Sequence, residues 1–364
     1  MAQLRIPGPT PLPPAVLQSM TKQMINHRAA EFHQMMTDIT AKLKQIYQTK
    51  NDLYILTGSG TGGMEAAIVN MLSPGDKVLA VSIGNFGNRF ANIAQTFGAN
   101  VVKLNFEMGK AAEPDAVRGA LQKNPDVKAV LITHNETSTG ITNDLATLAR
   151  VVKEFDKLLI ADCVSSMGSI NCPVDEWKLD VAVSGSQKGW MAPPGLAFVS
   201  VSPKAWEFFN QAKMPRFYWD FGKAKKYLEK EETPWTPGIT TVYALSTGLD
   251  ILMKEGLQNI FARHARVARA TREGVKALGL KQLADEKFAS NTVTAVWLPA
   301  GIEYKALSKM LREEKEVVIT GGQDTLEGKI FRIGHLGWVD EKDIKECMDA
   351  LRYVLPKLGY KIPA

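Results

Sequence analysis

The chain has 364 residues, 45% hydrophobic and 23% charged, with a formal net charge of +6 from 44 basic and 38 acidic side chains. That length permits two domains and a large core, and the composition is that of an ordinary globular protein, which excludes disordered and fibrous classes. No apolar run reaches membrane-spanning length and the charges mix in sign along the chain, so neither a membrane nor a nucleic-acid partner is expected.

The three cysteines show no CxxC pair and no ligand spacing, and none of the five histidines has a ligand-spaced partner, so no metal is expected. The thiols read as structural in a reducing compartment. With no charged lead followed by an apolar core at the N-terminus, the expected location is the cytoplasm.

In chain order, the stretch IPGPTPLPP at 6–14 holds too much proline for a helix or a central strand. It predicts an extended arm over 1–15. Next, Asp52–Thr57 reads as a strand, GSGTGG at 58–63 as a turn, and 64–72 is apolar at helical spacing. A strand, a small-residue turn and a helix N-terminus make an anion site, because free backbone N–H groups and the positive helix end converge. The turn alone would serve a dinucleotide as well as a phosphate.

Further strands are expected at 77–82, 101–104, 128–133, 158–162, 181–184 and 197–201, with amphipathic helices between most of the earlier ones. That alternation predicts an α/β fold with a mainly parallel sheet. Long helices at 240–254 and 257–278 carry the chain out of a large domain spanning 16–255. A smaller α/β domain spans 256–364, with strands near 292–298 and 329–333 and a closing helix near 341–355.

Two residues carry the chemistry. Asp162 ends an apolar strand and is followed by CVSSMG. An Asp there caps a loop in many α/β proteins; it is also the carboxylate that would pair with a pyridinium nitrogen. Lys188 lies in DVAVSGSQKGWMAPPG, after an apolar β-rich stretch and before a Gly/Pro turn. A lysine shielded from water has a lowered pKa and becomes a nucleophile toward a carbonyl. An aldehyde cofactor held as a Schiff base is the natural reason for such a residue. Each lies at the carboxyl end of a strand, where open α/β sheets place ligands. Together they point to pyridoxal 5′-phosphate and assign the Gly-rich turn to its phosphate.

From PGPT at 7–10 through TGSGTGGMEAAIVN, SIGNFGNRF, HNETSTG, ADCVSSMG, SGSQKGWMAPPG and TPWTP to GKIFRIGHLG, the chain resembles the class V aminotransferases of fold type I. The match is to the alanine/serine–glyoxylate (pyruvate) group and covers essentially the whole length. The resemblance implies a large domain with a seven-stranded-type sheet and a smaller C-terminal domain. It implies that Lys188 forms the Schiff base and shuttles a proton, and that Asp162 binds the ring nitrogen. Val164 and Phe86 would cover the two ring faces, with Phe86 standing where relatives often have Trp.

Ser59, Gly60, Thr61, Gln187 and Thr236 would hold the phosphate, Thr236 reaching the neighbouring subunit's cofactor in a homodimer with interface sites. Thr61 stands where relatives carry His, and Thr233 where Tyr is common. Thr137 would lie near the ring oxygen. Arg332 would bind the substrate α-carboxylate, since a guanidinium fork matches it bidentately and no acidic neighbour stands in its strand. No second arginine stands out beside Arg28 and Arg216, which favours small amino acids over aspartate. His134 and His335 are placed at the mouth of the site; His27, His33 and His264 read as structural or surface residues.

The implied function is transfer of the amino group of alanine or serine to glyoxylate or pyruvate by a ping-pong exchange. One alternative is another class V enzyme, such as an aspartate aminotransferase, a lyase or a cysteine desulfurase. Against the desulfurase, Gln187 rather than His precedes the lysine, and GHLG after Arg332 holds no cysteine. The other alternative is a non-catalytic cofactor-binding subunit of a complex, as the soluble-hydrogenase label of some relatives would have it. Three scattered cysteines cannot ligate a Ni–Fe centre or iron–sulfur clusters.

Overall fold

The computed structural model describes residues 3–363. Its centre is a seven-stranded sheet in the order Asp52–Thr57, Leu196–Val201, Val181–Gly185, Leu158–Asp162, Ala129–Thr133, Lys77–Ser82, Asn100–Asn105. Leu196–Val201 is antiparallel to both its neighbours, and the remaining pairings are parallel. Every residue of the three consecutive strands Ala129–Thr133, Leu158–Asp162 and Val181–Gly185 is buried. Helices cover both faces, which is why these strands read as continuous apolar runs.

The pleat divides the side chains between two cores. Leu159 and Ala161 face one way, with Phe32, Met36, Ile39 and Leu43 of helix Ala30–Tyr47. Leu158 and Ile160 face the other, with Met64 and Ile68 of helix Gly60–Met71. Removing one such side chain down to Ala costs about 2–5 kcal/mol.

Helices Ile239–Glu255 and Leu257–Ala277 meet at Gly256, whose φ of +84° ends one and opens the other. A smaller antiparallel sheet follows, ordered Val293–Trp297, Ile330–Gly334, Thr320–Gly321. Its core joins Val296, Phe331 and Ile333 to Val267 and to Ile344, Leu351 and Leu355 of helix Glu341–Lys357. A capping box between Asp340 and Asp343 starts that last helix. Among the described residues no helix is long and apolar enough to cross a membrane.

The N-terminal stretch differs from the expected arm. Gln3–Leu4 pairs in parallel with Val317–Val318, and the Gly334 N–H donates to Arg5 O at 2.8 Å. Arg5 is ion-paired with Asp343 at 2.5 Å. Pro14, counted within the extended stretch, opens helix Pro14–Ser19. Proline suits the first helical position, where its missing N–H would have no partner and its φ is already helical.

Candidate active site

The site lies where Leu158–Asp162 and Val181–Gly185, adjacent and parallel, run out at their carboxyl ends. Asp162 is buried, and its Oδ1 accepts from the Val164 N–H at 2.9 Å. Burial pushes the carboxyl up to about 6; the Val164 N–H holds it down, Glu136 raises it, and the nearby Lys188 and Arg89 lower it. Burial likewise lowers the Lys188 ammonium to about 8, against the pull of Asp162 and with a push from Arg332 and Arg89.

Lys188 Nζ donates to Pro7 O at 2.6 Å. A Cβ on Gly8 would stand 2.8 Å from Nζ, and the φ of +139° there suits only glycine. Thr10 extends the contact, its N–H donating to Gln187 O and its hydroxyl to Lys188 O. Residues 7–10 thus form a wall of the site.

The strand, turn and helix of the anion site follow in the expected order, but the helix begins at Gly60 rather than at residue 64, taking in four residues expected in the turn. Ser59 stands at the N-cap of helix Gly60–Met71 but makes no capping bond, so its hydroxyl does not occupy the first-turn amides. Gly60 admits the close approach of Val164, whose Cγ2 would lie 2.8 Å from an added Cβ. Gln187 Oε1 is buried without a hydrogen-bond partner, and an added Gly185 Cβ would lie 3.0 Å from it and 3.3 Å from Gly60 N. Thr61 Oγ1 accepts from Arg89 Nη1 at 3.5 Å, and the Arg89 guanidinium lies over the Phe86 ring at 4.7 Å.

Phe86 itself is held by a residue the sequence reading passed over. The Glu136 carboxylate is fully buried and accepts from the Phe86 and Gly87 N–H groups at 3.0 and 3.1 Å. It also accepts from the Ser138 N–H and hydroxyl. It therefore caps helix Asn85–Thr96 from another segment. Burial raises its pKa and the four hydrogen bonds oppose the rise. An acidic residue among the small polar residues of HNETSTG is the signal that could have found it.

Arg332, buried in the middle of Ile330–Gly334, donates from Nε to Gly321 O at 2.9 Å and from Nη1 to Thr137 O at 3.1 Å. Among the described residues it makes no ion pair. Burial lowers the guanidinium to about 10, which leaves it charged at neutral pH. Thr137 is buried beside it. Arg28 is paired with Glu232 at 2.7 Å, and Arg216 donates to Val69 O, so both are committed elsewhere.

Within one chain, Thr236 is exposed on the connection that precedes Ile239–Glu255 and does not join the cradle. Thr233 is buried, its hydroxyl donating to Trp235 O at 2.7 Å.

The two histidines expected at the mouth are not there. His134 is buried and packs edge-on against Trp177, at 5.5 Å. His335 is buried with Nε2 bonded to Thr294 Oγ1 at 2.8 Å. Each directly follows a core strand and is packed inward, His134 against Trp177 and His335 against Thr294. His264 is structural as expected: its Nε2 accepts from the Gly337 N–H, and its Nδ1 faces Ile260 O.

The class-V aminotransferase family profile matches residues 4–337. The chain belongs to the class-V aminotransferases. It is 47% identical over 361 residues to the soluble hydrogenase 42 kDa subunit of Anabaena cylindrica, covering 98% of this chain and 94% of that protein. It is 35% identical over 370 residues to the serine–glyoxylate aminotransferase of Methylorubrum extorquens, covering 99% and 92%. The solved structure of the alanine–glyoxylate aminotransferase of Nostoc sp. superposes with a TM-score of 0.94 at 31% identity, covering 97% and 95%. The expected fold is thereby established: a large, mostly parallel sheet flanked by helices, with a smaller C-terminal unit. Members of this family generally depend on pyridoxal 5′-phosphate.

Proposed function

We propose that this aminotransferase uses pyridoxal 5′-phosphate to move the amino group of alanine or serine to glyoxylate or pyruvate, in a ping-pong exchange. The observation that carries the reading is a buried lysine amine, held on Pro7 O, beyond the end of a strand whose parallel neighbour ends in the buried Asp162. The buried Arg332 guanidinium, which makes no ion pair among the described residues, is near enough to depress that amine. Relatives named serine–glyoxylate and alanine–glyoxylate aminotransferases support this choice of donor.

The residues present fit the cofactor. The uncapped first turn of Gly60–Met71 and the orphaned Gln187 Oε1 suit a phosphate with at least one protonated or water-bridged oxygen. Ser59, Gly60, Thr61 and Gln187 would hold that phosphate. Asp162 would hold the ring nitrogen, Val164 and Phe86 the ring faces, and Thr137 would face the ring oxygen. Thr236 of a second copy would complete the cradle in a homodimer. Bound there, the cofactor supplies an electrophilic carbon for amines and an electron sink for the Cα–H bond electrons.

The chain's own residues do the rest. An amine titrating near 8 is populated in both forms at neutral pH, so Lys188 Nζ can take a proton from the substrate Cα and return it. Asp162 keeps a proton on the ring nitrogen. Arg332 receives the α-carboxylate on N–H groups its two backbone acceptors leave free, and those bonds orient Cα–H toward Nζ.

A second reading, an aspartate donor, is favoured by a relative 35% identical and named an L-aspartate–glyoxylate aminotransferase, and by Arg89. The exposed Arg89 over Phe86 could receive the side-chain carboxylate of an aspartate donor. The test is a half-reaction screen. Cofactor-loaded protein receives alanine, serine or aspartate singly, and the cofactor absorbance is followed before and after glyoxylate or pyruvate is added. A spectral change with alanine or serine, reversed by glyoxylate, is the expected result. A response to aspartate alone would move the donor to a dicarboxylate. No response to any amino acid would favour a non-catalytic subunit.

A further inference from the structure

The chemistry above leaves three buried side chains without a task. His134, Cys163 and Cys172 each offer one ligand atom, and these atoms all lie within 4.8 Å of one another. Cys163 Sγ and Cys172 Sγ are 3.7 Å apart, and both thiols are free. The three residues are 2%, 0% and 1% exposed. His134 Nδ1 is buried with no geometric hydrogen-bond partner, and the imidazole lies near enough to the Cys172 thiol to favour its ionised form.

We propose that His134, Cys163 and Cys172 form a zinc site directly behind the strand ends that carry Asp162. Thiolate and imidazole are the donors zinc takes in tetrahedral sites. Two thiolates at the usual Zn–S bond of about 2.3 Å on a tetrahedron stand about 3.8 Å apart, which matches the observed sulfur pair. Charge selects the ion. Zn²⁺ with two thiolates and a neutral imidazole is a neutral unit, which a dry interior tolerates, whereas Cu⁺ with the same donors leaves a net negative charge. Binding is balanced by release of the two thiol protons to solvent, with no change of oxidation state.

None of the three is among the residues assigned above to cofactor or substrate; together they tie segments of chain. The His134 N–H donates to Asp162 O at 2.8 Å, Cys163 directly follows Asp162, and Cys172 comes from the next turn of chain. The ion would therefore clamp the backbone on which the Asp162 carboxylate is mounted.

The experiment is a metal count on the full chain, produced with and without added zinc and purified with its cofactor. The expected result is about one zinc per chain, resistant to a chelator in the folded protein and released on unfolding. Growth with cobalt should instead give the near-ultraviolet thiolate-to-cobalt band and the visible bands of tetrahedral Co²⁺. Cys172→Ala and His134→Gln should lose the metal, whereas Cys347→Ala, which alters a buried thiol outside the cluster, should keep it. Wild-type protein holding less than about a tenth of a zinc per chain overturns the proposal, whether or not the variants fold. So does a Cys163–Cys172 disulfide in the peptide map, or zinc retained by Cys172→Ala.

Discussion

The amine of Lys188 points at the carbonyl of Pro7, 2.6 Å away, so the N-terminal stretch sets the position of the group on which the chemistry turns. Proline offers an acceptor there and no competing N–H, and Gly8 next to it leaves room for the amine. Gly8→Ala brings a Cβ to 2.8 Å from Nζ at a φ of +139°. Strain of about 1–3 kcal/mol is expected, with kcat falling at least tenfold while the circular dichroism spectrum is kept. Unchanged kcat would show that residues 7–8 are no wall of the site.

Lys188→Ala removes the one amine placed to carry the proton. Turnover should vanish and the absorbance of the bound cofactor should change. Stopped-flow mixing with alanine and glyoxylate checks both, and a near-normal rate would sink the assignment of Lys188.

Among the described residues Arg332 makes no ion pair, and the buried Glu136 only favours its charge from a distance. Arg332→Lys keeps the charge but loses the fork, and about 1.5–3 kcal/mol of charge-assisted bonding goes with it. A tenfold to hundredfold loss in kcat/KM is expected for every amino donor alike. An effect confined to one donor would place Arg332 at the side chain instead of the α-carboxylate.

Asp162 opposes stability in the cofactor-free chain. Its carboxyl is raised from 3.8 to about 6 by burial, so the folded state binds the proton more tightly than the unfolded state does. The resulting stabilisation is complete below about pH 4 and is lost as pH rises through about 6. Cofactor-free Asp162→Asn should therefore be more stable than the parent at pH 7, by up to about 3 kcal/mol, and no more stable at pH 4. Urea melts at the two pH values decide this. The same variant should bind cofactor more weakly, since its amide cannot hold the ring-nitrogen proton by charge.

Glu136 is a positioning residue for Phe86. Glu136→Gln leaves a similar shape but weakens the acceptor shared by the Phe86 and Gly87 N–H groups, at a cost of about 1.5–3 kcal/mol. Lower thermal stability and a raised dissociation constant for pyridoxal 5′-phosphate are expected together. Lost stability with unaltered cofactor binding would confine Glu136 to the fold.

The large sheet was legible because its strands are buried on both faces and stand out as runs such as LLIAD and VAVSG. Asp162, Lys188 and the Gly-rich turn were legible because strand ends place them and each breaks a local pattern. What could not be read depends on segments distant in sequence. Glu136 acts on helix Asn85–Thr96, Arg89 lies over Phe86, and residues 7–10 press on Lys188. The inward turn of His134 and its meeting with Cys163 and Cys172 are set by packing against Trp177, which no spacing announces. Pro14 was misplaced because proline content was weighed without the first helical position, where proline is welcome.

The pairing of residues 3–5 with Val317–Val318 and Gly334 has a consequence for biogenesis. Residues 3–5 leave the ribosome long before their partners at 317–334. The wall beside Lys188 is therefore among the later features to assemble, since it waits on closure of the long loop between residues 5 and 317, a slow step by loop-closure entropy. A nascent chain halted before residue 317 can build the large sheet yet has no partner for residues 3 and 4.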